Sequence, residues 1–517
     1  MRACSSGSGS SASLAVGAAC SLGPLTDDDT KKRSTDAGLY LYSRLAASVL
    51  SLVTIGIATH VYSENAFAFV ATILLMYDTA YALGSLGLPE AVFFFVGRDH
   101  AKAPAVVRQA SFLLLVVAVP VIGVIVGAGV LLSKPDVDLI PALPWVAVAL
   151  LMSLPTQPAI NQLLAARRAR AASVLQTLYA ALNAAAIVAP AAVGISETWT
   201  PILLAAATSV RLVVHLVLLA RVFPRGPRDR WLVGHELRAM LHFAFPAGLA
   251  TLCGKLNPQI DKYVVKILLT TQIFAFYTAA SWELPLISMI PYAVGAVMQV
   301  RYVELYAHQR TSELRELWFA NVHKTSLVVF PVTTAVLVVA PELVELLFGP
   351  DYLPATLPFQ IFTAVLFHRV ASYGAMLQAT NQTRALLVSS ILLIATNAIL
   401  TLPLTFVFGY PGAALATLVA NVPPWLWTLS RIAEAMGVTM RRVMPWGELA
   451  RGLGLALAIG AVVWIAKAVV PAPVLVRLVG GLVIYGVIYV PVARGAGVIT
   501  AADLGYMTRW LSFRLGR

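Results

Sequence analysis

Nine cations stand inside or at the ends of long apolar stretches of this chain: Arg44, Arg211, Lys255, Lys262, Lys266, Lys324, Arg369, Lys467 and Arg477. A cation at the centre of a bilayer costs about 2.5–3.5 kcal/mol to insert, so those that persist face water, a counter-charge or an anionic ligand. Lys324, Lys467 and Arg477 lie close enough to the ends of their stretches to snorkel to the headgroups, and Arg44 is divided between snorkelling and lining a cavity. Arg211, Lys255, Lys262 and Arg369 lie deeper. At 100° per residue Lys255, Lys262 and Lys266 fall within about 40° of one another and form one basic stripe, with Lys266 near enough to an end to reach headgroups. Arg211 and His215 share a face at i, i+4, and His368 neighbours Arg369. A lone histidine in such a setting is more often a hydrogen-bonded packing residue than a ligand.

Acidic residues at the same depth are fewer: Asp78, Asp261 and Glu283, with Glu90 nearer a span end. Two roles are open to them. They can neutralise neighbouring cations, Asp261 with Arg44 or Arg211 for example, or they can take up a proton or Na⁺ and couple transport to an ion gradient. Either way a cavity built from Arg44, Arg211, Lys255, Lys262 and Arg369 is net positive, and dispersed Lys and Arg donors suit a phosphate-bearing ligand. An exporter of lipophilic cations calls for the opposite sign. Cys4, Cys20 and Cys253 form no CxxC pair, and no His/Cys grouping supports a metal site. The chain carries no GxxxxGK[ST] loop, which argues against intrinsic ATP use, and no cofactor is expected.

The elements that position these charges are transmembrane helices. Of 517 residues 59% are hydrophobic and only 12% charged, more apolar content than a soluble core uses. Apolar runs long enough to cross a bilayer begin near Leu39, Ala66, Val106, Ile140, Ala171, Pro201, Ala239, Gln272, Asn321, Pro354, Ala385, Pro411, Gly452 and Pro473, giving 14 expected spans. The two tails and every second gap together hold 27 Lys and Arg, whereas the alternate gaps hold Lys134 alone, or three cations if Lys467 and Arg477 are counted with them. The positive-inside rule then places both termini in the cytoplasm of a multi-pass membrane protein. A net charge of +13 spread over many short loops reads as topology and contact with anionic lipid, not as a nucleic-acid interface. Residues 1–38, Ser/Gly-rich at the start, are expected to be a disordered cytoplasmic tail.

The chain also repeats itself. Leu163, Ala165, Arg170, Ala171, Asn183 and Ala184 recur with identical spacing as Leu377, Ala379, Arg384, Ala385, Asn397 and Ala398, and Phe67-Ala68-Phe69 recurs as Phe274-Ala275-Phe276. Two similarly oriented six-helix lobes follow, 39–222 and 239–435, joined by a cytoplasmic linker, 223–238. Two appended helices occupy 436–495, and a cytoplasmic tail 496–517. The expected fold class is therefore all-α, a polytopic membrane protein of about 14 helices in two lobes plus two.

Leu377-Gln378-Ala379, Asn381 and Arg384, followed by Gly409-Tyr410-Pro411-Gly412-Ala413-Ala414 and Ala416-Thr417, resemble the second lobe of polysaccharide-unit flippases of the Wzx type. Pro246, Asp261, Phe276, Tyr277 and Ala280 resemble the start of that lobe, and Leu83-Gly84, Leu86-Gly87-Leu88 the end of the second span in the first. The resemblance runs from about Leu39 to Arg494 and points to the multidrug/oligosaccharidyl-lipid/polysaccharide exporter superfamily. It implies a transporter and not an enzyme, moving undecaprenyl-pyrophosphate-linked oligosaccharide units to the outer leaflet for O-antigen, capsule or exopolysaccharide assembly. Membrane lipids, H⁺ or Na⁺ and a polysaccharide polymerase machinery are its implied partners. A cation-coupled multidrug antiporter and a peptidoglycan-precursor flippase of the same superfamily are the alternatives. A membrane glycosyltransferase or ligase is disfavoured by outer gaps of only a few residues, and a non-transporting scaffold by the basic stripe.

Overall fold

Backbone amides and carbonyls cannot go unpaired in hydrocarbon, and this chain meets that condition with helices. The computed structural model describes residues 27–224, 231–282, 285–469 and 471–500. In the first half lie α1 Asp27–Val61, α2 Glu64–Gly84, α3 Leu88–Arg98, α4 Ala103–Leu132, α5 Leu143–Ser153, α6 Ala159–Ala165, α7 Ala169–Ala192 and α8 Thr200–Val222. Then come α9 His235–Leu268, α10 Thr271–Ala280, α11 Pro285–Ala307, α12 Thr311–Val338, α13 Ala340–Phe348, α14 Thr356–Ala364 and α15 Tyr373–Ala379. The last are α16 Thr383–Phe408, α17 Tyr410–Ala420, α18 Val422–Met436, α19 Trp446–Val469 and α20 Val474–Gly495.

The chain is an all-α polytopic membrane protein. Among the described residues 11 helical stretches are long and apolar enough to cross a membrane, and they coincide with 11 of the expected spans. The eighth, tenth and twelfth spans are apolar but broken. The eighth divides between α10 and α11, the tenth into α14, a 3₁₀ turn at Val365–His368 and α15, and the twelfth into α17 and α18. Pro423 and Pro424 in the first turn of α18 cannot donate back to the preceding turn, which accounts for the last of these breaks.

Both copies of the repeat end a helix in the same way. Arg167 after α6 and Asn381 after α15 each adopt φ 58°. Arg168 N donates to Leu163 O and Gln382 N to Leu377 O, each at 2.8 Å, while Arg167 N and Asn381 N reach the carbonyls of Leu164 and Gln378 at 3.0 and 3.2 Å. This 6→1 and 5→2 pair is the Schellman motif, with arginine or asparagine where glycine is usual.

The two halves of the chain touch at both ends. At the charge-poor end α2 packs on α10, and Phe67 and Phe276 meet Tyr352 edge-on, with ring centroids 5.9 and 5.3 Å away. Lys134 Nζ donates to the Leu269 carbonyl there at 2.8 Å. At the basic end a Cβ on Gly248 of α9 would lie 2.4 Å from the backbone nitrogen of Gly87, just before α3, so the two backbones approach as only glycine permits. Lys102 pairs with Glu236 at the same end. The segment before α9 is docked on α4, where Gln109 Nε2 donates to Leu232 O at 2.9 Å and its Oε1 accepts from Leu232 N at 2.7 Å.

Lys467 and Arg477, expected to snorkel, instead meet a carboxylate. Lys467 of α19 pairs with Glu342 of α13 at 2.5 Å, and Arg477 of α20 lies 3.9 Å from both Glu342 and Glu345. Side-chain exposure of only 4% for Glu342 and 11% for Lys467 places this pair inside the packing of the two appended helices.

Candidate functional site

A cavity of about 710 Å³ opens between α1, α2, α7 and α8 on one side and α9 and α10 on the other. Of the residues expected to bind an anion, Arg44, Arg211 and Lys262 line it, and Asp78 is the one carboxylate among its described lining residues. The helical period explains the grouping: Leu74, Tyr77, Asp78 and Tyr81 form one face of α2, and Gln176, Tyr179, Asn183 and Ile187 one face of α7.

Arg211 is the best-defined cation. Only 5% exposed, it donates from Nη1 to Tyr77 Oη at 3.1 Å and holds its guanidinium carbon 4.4 Å from the centroid of the Tyr179 ring. Tyr81 stacks on Tyr77 with centroids 6.2 Å apart, extending the aromatic wall. The partners of this guanidinium are phenols, and no carboxylate pairs with it among the described residues. His215, one turn along α8, sits 3.0 Å from Ser111 Oγ through Nε2, as a packing histidine does.

The basic stripe of α9 divides among three settings. Lys262 faces the cavity; Lys255 is exposed, its Nζ 5.6 Å from the centroid of the Tyr81 ring and outside the lining set; Lys266 is buried, its Nζ 5.2 Å from the Phe274 ring centroid. Lys266 therefore does not reach the headgroups. One stripe meets three settings because α9 runs from the basic end, past the cavity, to the charge-poor end.

Arg369 is not brought to the cavity either. It follows the 3₁₀ turn that interrupts the tenth span, where an unbroken helical period no longer predicts direction.

Asp261 lies outside the cavity wall in a buried polar network, and neither Arg44 nor Arg211 pairs with it. It is 1% exposed and accepts from Tyr277 Oη at 2.6 Å, Lys262 N at 2.9 Å and Thr417 Oγ1 at 3.3 Å. Asn397 continues the network, its Nδ2 donating to Asn257 O and Oδ1 at 3.2 and 3.1 Å while its own Oδ1 accepts from Thr401 at 2.9 Å. Glu283 lies outside the described residues.

A reading led by charge passes over Gln157, Tyr179, Asn183 and Gln259, all of which line the cavity. The signal available was Gln176, Tyr179 and Asn183 at i, i+3, i+7 in a span otherwise dominated by alanine and leucine.

The family described as "Polysaccharide biosynthesis protein" matches residues 35–302. No curated protein matches the chain. Among solved structures, the lipid II flippase MurJ in an inward closed conformation is similar with a TM-score of 0.66 at 13% identity, covering 89% of this chain and 99% of that one. An inward-facing multidrug resistance MATE family transporter of the MOP superfamily is similar with a TM-score of 0.60 at 17% identity, covering 76% and 96%. A further MATE structure, in the straight conformation, gives 0.52 at 16% identity over 79% and 97%. At these identities the likeness is one of fold.

Proposed function

We propose, since the chain belongs to the polysaccharide biosynthesis protein family, that it is a flippase for lipid-linked oligosaccharide units. Its substrate in this reading is an undecaprenyl-pyrophosphate-linked unit, carried from the cytoplasmic to the outer leaflet of the bacterial inner membrane for surface polysaccharide assembly. Residues 39–222 and 239–435 are the two lobes, and rocking one against the other exposes the cavity alternately to each side.

Arg211 carries the reading. A guanidinium stays charged, and burying one without a carboxylate is costly unless a ligand supplies the anion. Tyr77 and Tyr179 hold the fork in place, and Arg44 and Lys262 line the same cavity, where Asp78 is the one carboxylate among the described lining residues. That balance suits a pyrophosphate and opposes an exporter of cations. A peptidoglycan precursor presents the same pyrophosphate, so that second reading is separated by substrate. Purified protein in proteoliposomes should flip a lipid-linked oligosaccharide in preference to lipid II, and the reverse preference would replace the first reading by the second.

The termini are cytoplasmic in this reading. Without Cys4, Cys20 and Cys253, cysteines placed at Ser63 and Ser196 should react with an impermeant reagent from outside, and one at Arg170 from the cytoplasm only. Ser173, on the same helix as Arg170, is only 5% exposed and unsuitable for labelling. Reaction of Ser63→Cys from the cytoplasm alone would invert the orientation.

Asp261 is the stronger coupling group. Lys262 is near enough to interact with both Asp261 and Asp78, but Asp261 sits in a closed shell of neutral oxygen groups from Tyr277 and Thr417 that can hold a proton or Na⁺, whereas Asp78 faces the cavity with Lys255 as a second cation nearby. An imposed H⁺ or Na⁺ gradient should accelerate flipping by the wild type, and Asp261→Asn should remove that acceleration. Asp78→Asn should retain it. Flipping that ignores both gradients would remove the coupling role and leave the flippase reading in place.

A further inference from the structure

Six buried polar atoms without hydrogen-bond partners among the described residues belong to side chains that line the one cavity. They are Gln157 Oε1, Tyr179 Oη, Asn183 Oδ1, Arg211 Nε, Gln259 Oε1 and Thr278 Oγ1. Leaving a buried polar atom unpaired is costly, so such a concentration marks a surface completed by a ligand or by water.

Half of this set does not suit a phosphate. A phosphate diester only accepts hydrogen bonds, and three of the six are amide carbonyl oxygens, which also only accept. The orientation of Gln157 is fixed, because its Nε2 is committed to the Tyr81 carbonyl at 2.8 Å and Oε1 must face elsewhere. The ligand group that meets these acceptors is itself a donor.

The internal repeat sharpens the point. Asn183 and Asn397 occupy the same repeat position. Asn397 is 0% exposed and saturated by Asn257 and Thr401, whereas its counterpart lines the cavity with Oδ1 unpartnered. One copy serves packing and the other is left to a ligand. On α7 Asn183 lies one turn from Tyr179, whose ring already carries Arg211.

Hydroxyl groups on a sugar ring both donate and accept, and so complete amide carbonyls, phenol, threonine hydroxyl and guanidinium together. A carboxylate lacks the donors that the three carbonyl oxygens need and leaves them unpaired. Among the described lining residues the cations outnumber the single carboxylate, Asp78, and a pyrophosphate diester, with one negative charge on each phosphoryl group, suits that balance. Resting on the flippase reading, we propose that Gln157, Tyr179, Asn183, Gln259 and Thr278 form a subsite for a neutral, hydroxyl-rich sugar next to the pyrophosphate. The subsite selects against uronic acids.

The test uses full-length protein in proteoliposomes and three undecaprenyl-pyrophosphate lipids: one bearing a neutral disaccharide, one bearing the same disaccharide with its first sugar oxidised to the uronic acid, and one without sugar. The neutral disaccharide should move about tenfold faster than the acidic one, the scale of one well-made buried hydrogen bond to a charged partner. In Asn183→Leu and in Gln259→Leu the ratio of the neutral-sugar rate to the sugar-free rate should fall about tenfold. Equal rates for neutral and acidic sugars, or an unchanged ratio in both variants, overturns the subsite while leaving a flippase. Failure to move any of the three lipids overturns the flippase reading and the subsite with it.

Discussion

Arg211→Gln is expected to slow flipping of a pyrophosphate-linked sugar at least about thirtyfold while the protein still inserts and purifies as a monodisperse species. Removing one member of a buried charge pair costs about 2–5 kcal/mol, and each 1.4 kcal/mol is about tenfold. Here the second member is the ligand, so the loss falls on transport. Glutamine keeps a neutral polar group in the site but ends two bonds short of the Nη1 that lies 3.1 Å from Tyr77 Oη, so that hydroxyl turns to water in the cavity. Arg211→Lys keeps the charge but cannot lie flat over Tyr179 and reach Tyr77 at once, and its rate should fall between wild type and Arg211→Gln. Flipping by Arg211→Gln at the wild-type rate would end the anion role. A fall in membrane abundance with normal flipping per molecule would make the residue a packing element held by its tyrosines.

What the sequence revealed of this site follows from how far each residue's partners lie along the chain. Arg211 and Lys262 are legible because a charge in an apolar run needs an explanation wherever its helix points. Lys255 and Lys266 share a face with Lys262, and the period places that face correctly, but it does not say that α9 passes an exposed position, a cavity and a buried contact with Phe274 in turn. Asn183 and Asn397 were recognisable as one repeated position. Which copy would be saturated depended on Asn257, 140 residues from Asn397 in the chain. Arg369 was misplaced for a different reason: hydropathy averages over the 3₁₀ turn at Val365–His368, and helical phase is lost across it. The Schellman turns after α6 and α15 carry no glycine to announce them, and only the matching of the two copies singled them out.

The same separation hid the ion pair that holds the last two helices, and it sets the largest expected effect on stability. Lys467 lies 125 residues from Glu342, and beside a short turn it reads as a cation able to reach water. In the folded chain its ammonium donates to both the Val338 carbonyl and Glu342, with Arg477 on the other oxygen of the same carboxylate. Glu342→Gln leaves an ammonium that is only 11% exposed without its counter-charge, and breaking such a pair from one side costs about 3–5 kcal/mol. Arg477, more exposed and 3.9 Å away, adds little to that figure. The expected result is a marked fall in unfolding temperature in detergent, with protease cleavage appearing first between α18 and α19, where the appended helices leave the preceding lobe. Lys467→Met made alone leaves the carboxylate buried and should also destabilise, whereas Glu342→Gln with Lys467→Met removes both charges and should recover most of the loss. An additive double variant would show that the two groups act independently, and the docking of α19 and α20 would then rest on their apolar contacts with α12 and α13.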